Sequence, residues 1–366
     1  MLSWGPQPSQ IVQLASRTGL LPVAQQQVGT ATCDGIVVYC ENRKLEPDGQ
    51  EGLVAMSGDR ALLIVNPLRS RRVGHHLGRM ETALREHGLR FEVRFTEHKG
   101  HAVELASRGV SDGYGTIVAV GGDGTVNEVV NAVIGSPAAL GALPLGANND
   151  FLRSLGIWSW KEACEVLAAG EVRPIDVGLA EYQDEAGERR QRYYAVLADV
   201  GFGSEVVRNT PRRLRHALGG GLGYIVSLYR TAVGGRGGAS PMKVWADGQL
   251  RFDERLLLVE ALNGMYAGGG LKVAPRARMD DGLLDVFLVR EMPWLKIWTL
   301  FPRIFQGTHI EHAKGEYFQV REVAVEAEEP VSLSLDGELL GRTPARFSVL
   351  PGALQVACPR RESQVR

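Results

Sequence analysis

The chain has 366 residues, of which 44% are hydrophobic, and this length and composition predict two domains that each bury a core of their own. Lys and Arg number 41 against 42 Asp and Glu, and the resulting formal net charge of −1 excludes a strong global attraction to nucleic acid. No apolar run approaches the roughly 20 residues that a membrane-spanning helix requires.

The elements predicted from residue 61 to residue 145 alternate between strands and helices. Residues 1–60 contain one short apolar run, Ile36–Tyr39, and form an extension of unknown role. A buried strand is predicted at Ala61–Val65 and further strands at Phe91–Phe95, 116–120 and 140–145, with helices at about 73–84, 101–108 and 126–134. This alternation indicates an α/β domain over residues 61–175 with a parallel sheet, whose ligands collect at the carboxyl ends of the strands.

From residue 176 to residue 358 the pattern changes to strand-like segments with turn residues between them. The segments are 193–197, 242–245, 255–262, 283–289, 322–326 and 345–349, and one helical segment is predicted at 222–233. The pattern predicts a mostly antiparallel β domain, followed by a tail at residues 359–366. In such a two-domain protein we expect the site in the cleft between the domains.

Residues 121–128 read Gly-Gly-Asp-Gly-Thr-Val-Asn-Glu and lie between a predicted strand and a predicted helix. Gly121, Gly122 and Gly124 allow positive φ angles and a close approach of the backbone to a ligand. The free amides of the helix start favour an anion there. The Asp123 carboxylate would repel phosphates unless a divalent cation lay between, and Mg²⁺ prefers one or two carboxylates plus phosphate oxygens. The turn predicts a nucleoside triphosphate site with Asp123 as metal ligand; a turn that serves packing alone is the alternative.

An ordered set of motifs resembles the diacylglycerol kinase catalytic-domain family, which includes bacterial soluble lipid kinases and sphingosine kinases. The motifs are Asn66-Pro67, Thr96 with Gly-His-Ala at 100–102, the turn at 121–125, Pro-Leu-Gly-Ala-Asn-Asn-Asp-Phe at 144–151, Ile-Asp-Val-Gly at 175–178, Gly-Gly-Gly-Leu-Lys-Val-Ala-Pro at 268–275, Asp-Gly-Leu-Leu-Asp at 281–285 and Leu-Asp-Gly-Glu at 335–338. The resemblance covers about residues 60–358. It implies an N-terminal domain like those of phosphofructokinase and NAD kinase, a C-terminal β-sandwich, and transfer of the γ-phosphate of ATP to a lipid hydroxyl.

The resemblance also implies roles for individual residues. The nucleotide would be bound by Asn66, Thr96, Gly121, Gly122, Asp123, Gly124, Thr125, Asn149, Asp150, Asp336, Gly337 and Glu338. Asp281 would accept the proton of the lipid hydroxyl; an Asp-Gly turn without a catalytic role is the alternative. Ala147 stands where the family usually has Thr, and the lost hydrogen bond would cost about 1 kcal/mol, less than tenfold in nucleotide affinity.

The expected acceptor is diacylglycerol, which would become phosphatidic acid. A sphingosine- or ceramide-type kinase, an NAD kinase, and a catalytically silent nucleotide- or lipid-binding protein remain alternatives. Because the acceptor is a lipid, we expect peripheral contact with the inner face of a membrane. A candidate is the apolar stripe Trp294, Leu295, Ile297, Trp298, Phe301, Ile304 and Phe305, whose helical spacing is equally typical of core.

Metal-ligand and disulfide patterns are weak elsewhere in the sequence. His98 and His101 lie three apart, as do His309 and His312, but neither pair has a third ligand at a suitable spacing, so no metal site is predicted there. The four cysteines lack Cys-x-x-Cys pairing, and the first sixteen residues lack the charged start of a signal peptide. We therefore expect a cytoplasmic protein.

Overall fold

The computed structural model describes residues 30–33, 36–39, 54–55, 60–67, 71–210, 226–231, 238–293, 296 and 302–360. By contacts the chain divides into two units, Met1–Asp48 and Gly49–Arg366. In the first unit, β1 (Thr30–Cys33) and β2 (Ile36–Tyr39) form an antiparallel hairpin.

The second unit begins with β3 (Val54–Ala55) and continues into an α/β domain. Its strands and helices alternate along the chain: β4 (Ala61–Val65), α1 (Arg71–Glu86), β5 (Phe91–Phe95), α2 (His101–Ser111), β6 (Thr116–Gly121), α3 (Asp123–Val133), β7 (Ala139–Pro144), α4 (Asp150–Ser154) and α5 (Trp160–Ala169). The strands are parallel in the order β5-β4-β6-β7. Every residue of β4 and β6 is buried, because helices cover the sheet. The four predicted strands are confirmed.

The remainder of the second unit is mainly antiparallel β-structure. Its elements are β8 (Glu171–Gln183), β9 (Arg189–Tyr194), β10 (Leu197–Gly201), α6 (Phe202–Arg208), β11 (Ser240–Ala246), β12 (Gln249–Leu262), β13 (Leu284–Arg290), β14 (Gly315–Val320), β15 (Glu322–Ala327), β16 (Ser332–Leu335) and β17 (Glu338–Ala357). The long strand β17 pairs antiparallel with β8 and, through Val356 and Leu140, parallel with β7. The sheets of the two domains are therefore hydrogen-bonded to each other.

The structure differs from the predicted elements at several places. The predicted strand 193–197 is interrupted, since β9 ends at Tyr194 and β10 begins at Leu197. The sequence patterns missed β8, which runs through the predicted boundary at residues 175 and 176, as well as α5 and α6. Of the predicted helix 222–233, residues 226–231 are helical and the others lie outside the described residues.

The apolar stripe is described only in part. Residues 294, 295 and 297–301 lie outside the described residues, and residues 302–306 are helical. Phe305 in this helix is 51% exposed. None of the helices in the described part of the chain combines the length and hydrophobicity of a transmembrane span.

The glycines of the 121–124 turn serve a close backbone approach. None of the three has a positive φ, so that expectation is wrong; Gly122 has a φ of −107°. A Cβ on Gly146 would lie 2.3 Å from the Cα of Gly122, and a Cβ on Gly121 would lie 2.4 Å from Thr125 Oγ1. Gly124 has no atom near its missing Cβ, so the backbone at the start of α3 is open on that side. The turn after β6 thus packs against the turn after β7 through glycine backbone alone.

We expect Gly146→Ala to lower the free energy of unfolding by roughly 1–3 kcal/mol, because its Cβ would force two backbone segments apart. Chemical denaturation measures this effect. Gly78→Ala is the matched control, since Gly78 lies inside α1 with open space around it. That substitution should be neutral or stabilise by up to about 1 kcal/mol. Equal stability of both variants would contradict the backbone contact.

Candidate active site

The predicted nucleotide-binding residues at the ends of β4, β5 and β6 are brought together. Asn66, directly after β4, donates a hydrogen bond from Nδ2 to Oγ1 of Thr125 in the first turn of α3, at 3.2 Å. The amide of Thr96, directly after β5, donates to the carbonyl of Val65 at 2.9 Å, and the Thr96 side chain is buried. These contacts place two strand ends beside the N-terminus of α3. Gly122 precedes that helix and provides no side chain to cap its amides.

A cavity of about 110 Å³ lies next to this turn and is lined by residues of both domains. Its walls carry five carboxylates, from Asp123, Asp150, Asp199, Glu260 and Asp336. The apolar part of the lining consists of Val196, Leu197, Val207, Ala267, Leu271 and Val273. Among the described residues, no Lys, Arg or His lines the cavity. The cavity therefore combines an apolar surface with one that is rich in carboxyl groups.

Asp123 is the carboxylate of the glycine turn, and in the described part of the chain no cationic side chain is among the groups that shift its pKa. Its Oδ1 accepts a hydrogen bond from the amide of Phe151 at 3.1 Å. Burial raises the pKa of Asp123 to about 7, and the negative charge of Asp150 adds to the rise. The side-chain oxygen of Asn148, another cavity residue, is buried without a hydrogen-bond partner. A buried carboxylate and an unpaired amide oxygen are ligands that suit Mg²⁺, so these residues fit the predicted metal.

Asn149 and Asp150 are engaged with the protein itself. Asn149 has a left-handed φ of 55° and donates from Nδ2 to the carbonyl of Gly146 at 3.0 Å. The two carboxylate oxygens of Asp150 accept from the amides of Gly269 and Gly270, both at 2.7 Å, and Asp150 Oδ1 also accepts from Arg153 at 2.9 Å. Asp150 thereby connects α4 to the glycine loop of the β domain.

Asp336 and Gly337 form the two-residue turn between β16 and β17. Both have positive φ angles, 46° and 77°, as an Asp-Gly hairpin of this length requires. The Asp336 carboxylate accepts from the three consecutive amides of residues 195–197, at 2.8 to 3.0 Å, and from Asn127 Nδ2 at 2.8 Å. The interruption between β9 and β10 exists where these amides turn toward Asp336.

Glu338, the next predicted residue, forms ion pairs with Arg192 at 3.0 Å and with Lys99. Arg192 also donates to Oδ1 of Asn127 at 2.8 Å, and the Nδ2 of that Asn donates to Asp336. Asn127 and Arg192 were missed by the sequence analysis, although Asn127 lies in the quoted turn motif. They link α3 to the hairpin that carries the late motif.

Asp281 does not line the cavity. Asp281 is exposed. Its Oδ1 accepts a hydrogen bond from the backbone amide of Leu283 at 3.1 Å, and its Oδ2 lies 3.4 Å from the side-chain Nε2 of Gln319. The adjacent amide of Gly282 donates to Asp176 at 2.7 Å, in a second group of acidic side chains. The structure thus separates Asp281 from Asp123, Asp150 and Asp336, and its role as proton acceptor remains a prediction.

Two cavity carboxylates, Asp199 and Glu260, were also missed. Burial raises the pKa of Asp199 to about 7 and raises the pKa of Glu260 well above its ordinary value; the charge of Asp199 adds to the second effect. The available signal was an acidic residue inside an otherwise apolar strand, as in Leu-Ala-Asp-Val and Leu-Val-Glu-Ala.

Of the two histidine pairs, one has a buried member and the other lies at the surface beside a carboxylate. His309 is buried, and its Nε2 lies 2.9 Å from the carbonyl of Val273. His98 and His101 have Glu104 beside them, and one ligand atom from each of the three residues lies within 4.8 Å of the others. The statement that this pair lacks a third ligand is therefore wrong, because one helical turn brings Glu104 next to His101. This surface group is separate from the cavity.

The buried carboxylates predict an unusual pH dependence of stability. Asp123 and Asp199 have pKa values of about 7 in the fold, above their ordinary value of 3.8. Because the folded state then binds more protons than the unfolded state, the free energy of unfolding falls as the pH rises from about 4 to about 7, by up to about 1.4 kcal/mol per pH unit for each group.

We expect Asp199→Asn to lose part of this pH dependence, measured by urea denaturation at pH 5 and pH 8 without Mg²⁺. Asp253→Asn is the control, since Asp253 is exposed and outside the cavity. Identical pH dependence in Asp199→Asn and the unmodified protein would contradict the raised pKa.

Comparisons with known proteins match both domains of the chain. The diacylglycerol kinase catalytic domain matches residues 60–180, and the YegS C-terminal NAD kinase beta sandwich-like domain matches residues 215–358. The chain is 35% identical over 311 residues to a probable lipid kinase YegS-like of Pseudomonas aeruginosa strain PAO1, covering 83% of this chain and 96% of that protein. It is 28% identical over 316 residues to a diacylglycerol kinase of Bacillus subtilis strain 168, covering 83% and 98%.

Two solved structures from Bacillus anthracis str. Sterne are similar: a putative diacylglycerol kinase, 26% identical with a TM-score of 0.67 and covering 82% of this chain and 97% of that chain, and a diacylglycerol kinase with a TM-score of 0.61. The second is 22% identical and covers 82% of this chain and 97% of that chain, which supports the fold alone. The two matched domains confirm the predicted α/β domain and C-terminal β-sandwich. The chain belongs to the diacylglycerol kinase catalytic domain family, in the form that carries a YegS C-terminal domain.

Proposed function

We propose that the protein transfers the γ-phosphate of ATP to the hydroxyl of a lipid. The observation that carries the proposal is the shared cavity: Asp123 of the glycine turn lines it, and so do apolar side chains of the β domain such as Leu271 and Val273. A triphosphate bound at the turn would meet the hydroxyl of an apolar molecule in the same cavity. Family membership supports this reading, with diacylglycerol as the acceptor named for one relative.

The N-terminus of α3 is the part of the site suited to the phosphates. Its amides carry partial positive charge, and the open side at Gly124 leaves room for phosphate oxygens. Asn66 orients the Thr125 hydroxyl in the same turn. Asp123 and Asn148, which line the same cavity, would hold Mg²⁺, which would neutralise charge on the phosphates. These residues would bind and position the donor, which is most of what phosphoryl transfer asks of a protein.

The proton of the acceptor hydroxyl needs a base within hydrogen-bond reach. The resemblance assigns this role to Asp281, and we keep Asp281 as the proposal. Its position outside the cavity makes Asp336 the alternative, since Asp336 lines the cavity beside Asp123. The Asp336 carboxylate already accepts four hydrogen bonds from the protein, one from Asn127 and three from the amides of residues 195–197. Its first role is therefore to hold the hairpin in place.

A lipid acceptor requires contact with a membrane, and we propose a peripheral contact on the cytoplasmic side. An exposed aromatic side chain and the partly buried ring beside it support this proposal. Trp158 is 61% exposed and packs edge-on against Tyr266 with ring centroids 5.4 Å apart. Tyr266 is next to Ala267 of the cavity wall. Aromatic rings of this kind favour the interface between lipid and water.

Replacing Asp123 tests the proposal directly. Asp123→Ala should reduce lipid phosphorylation by Mg-ATP in mixed micelles at least 100-fold, because the metal and the γ-phosphate lose their charge partner. Circular dichroism should show an unchanged fold. Asp253→Ala, at an exposed site, should keep full activity. Full activity in Asp123→Ala would exclude the metal role, and transfer to NAD instead of any lipid would favour an NAD kinase.

A second pair of variants assigns the base. Asp281→Asn should lower kcat by a factor of about 10² to 10⁴ without changing the KM for ATP, if Asp281 takes the hydroxyl proton directly. Asp336→Asn should instead lower the free energy of unfolding. It replaces one carboxylate oxygen by an NH₂ group, which cannot accept the hydrogen bonds that this oxygen receives. Retention of more than a tenth of kcat in Asp281→Asn would move the role to a carboxylate of the cavity.

A further inference from the structure

Three metal-binding side chains lie together at the start of α2, and none of them lines the cavity. His98 is in the turn after β5, His101 is the first residue of α2, and Glu104 lies three residues further along the helix. Because residues three apart are neighbours on a helix surface, this spacing places the side chains side by side. One ligand atom from each residue lies within 4.8 Å of the other two.

The exposed ring of His98 already has the tautomer that a metal ligand needs. Its Nδ1 lies 3.1 Å from the backbone carbonyl oxygen of Lys99. A carbonyl oxygen only accepts, so Nδ1 carries the proton and Nε2 has the lone pair. Metal-bound histidines commonly donate their other ring N–H to a backbone carbonyl in this way.

His101 has to give up one hydrogen bond in order to bind a metal. Its Nδ1 accepts from the backbone amide of Glu97 at 3.0 Å, which places the proton of the neutral ring on Nε2. Coordination through either ring nitrogen therefore costs this bond, and its loss lowers the metal affinity by about tenfold or less. The rings of His98 and His101 are stacked, with centroids 4.7 Å apart and an angle of 10° between the planes. His98 must turn out of this stack, which its exposed position allows.

The charges around the group favour a cation. Within the described part of the chain, no basic side chain forms an ion pair with Glu104. The ammonium group of Lys99, the residue after His98, is paired with Glu338. Imidazole nitrogens suit Zn²⁺ and similar transition-metal ions, whereas Mg²⁺ prefers oxygen ligands alone. The ligand set therefore selects a different ion from the one proposed at Asp123.

We propose that His98, His101 and Glu104 bind a divalent transition-metal ion of the Zn²⁺ class, with water at the remaining coordination positions. The ion would connect the turn after β5 to the first turn of α2. That turn also carries Lys99, the partner of the predicted nucleotide-binding residue Glu338. The inference does not depend on the lipid kinase function.

The test measures Zn²⁺ binding by calorimetry on the untagged full-length protein, with Mg²⁺ in excess throughout. We expect Zn²⁺ to bind and Mg²⁺ not to displace it. His98→Ala and Glu104→Gln should each lower the Zn²⁺ affinity at least about tenfold, because each removes one ligand. Both residues are exposed, so circular dichroism should show an unchanged fold.

Two controls show whether the ion is at this site. His87→Ala removes an exposed histidine outside the group, and Asp123→Ala removes the carboxylate proposed for Mg²⁺. Both variants should bind Zn²⁺ as tightly as the unmodified protein.

The inference would be overturned by absent Zn²⁺ binding, or by unchanged Zn²⁺ affinity in His98→Ala and Glu104→Gln. Loss of Zn²⁺ binding in Asp123→Ala alone would place the ion in the cavity and would also overturn it. None of these results decides the proposed phosphoryl transfer, which the lipid assay of Asp123→Ala tests separately.

Discussion

The burial of negative charge is the constraint on which the rest of this structure depends. Five carboxylates line one cavity, and among the described residues no basic side chain lines it with them. Some of these groups are stabilised by amides: Asp336 accepts from three consecutive backbone N–H groups, and Asp150 accepts from two. The other three, Asp123, Asp199 and Glu260, have fewer backbone donors or none, and burial raises the pKa of each. Such groups are where a cationic ligand gains most.

The same hydrogen bonds join the two domains. Asp150 lies at the start of α4 in the α/β domain and reaches the glycine loop at residues 269–270 of the β domain. Asp336 lies in a β hairpin and reaches Asn127 on α3. The cavity is therefore held from both sides by carboxylates that bind backbone amides, and its shape does not depend on charge pairing alone. Residues of both domains therefore line one cavity next to the glycine turn.

Local sequence patterns were sufficient to predict the strands of the α/β domain. The apolar run Ala61–Val65 became a strand because a buried parallel strand is apolar along its whole length, whereas Phe91–Phe95, at the edge of the sheet, is only partly buried and alternates apolar with charged residues. The break between β9 and β10 could not be predicted, since its cause is the Asp336 carboxylate, which lies about 140 residues further along the chain. The helix α6 was missed because its start at Gly201 follows a strand and has no capping side chain.

The amino-acid sequence by itself determined the order of the strands and helices of the first domain, the glycine turn with Asp123, and the family, because each depends on residues that are close in the chain. The tertiary structure alone decided which carboxylates share a cavity. It grouped Asp199 and Glu260, 61 positions apart in the sequence, through the register of two antiparallel strands, and it placed Asp281 in a different group. Strand register and domain packing depend on contacts across the whole chain, which no local pattern contains.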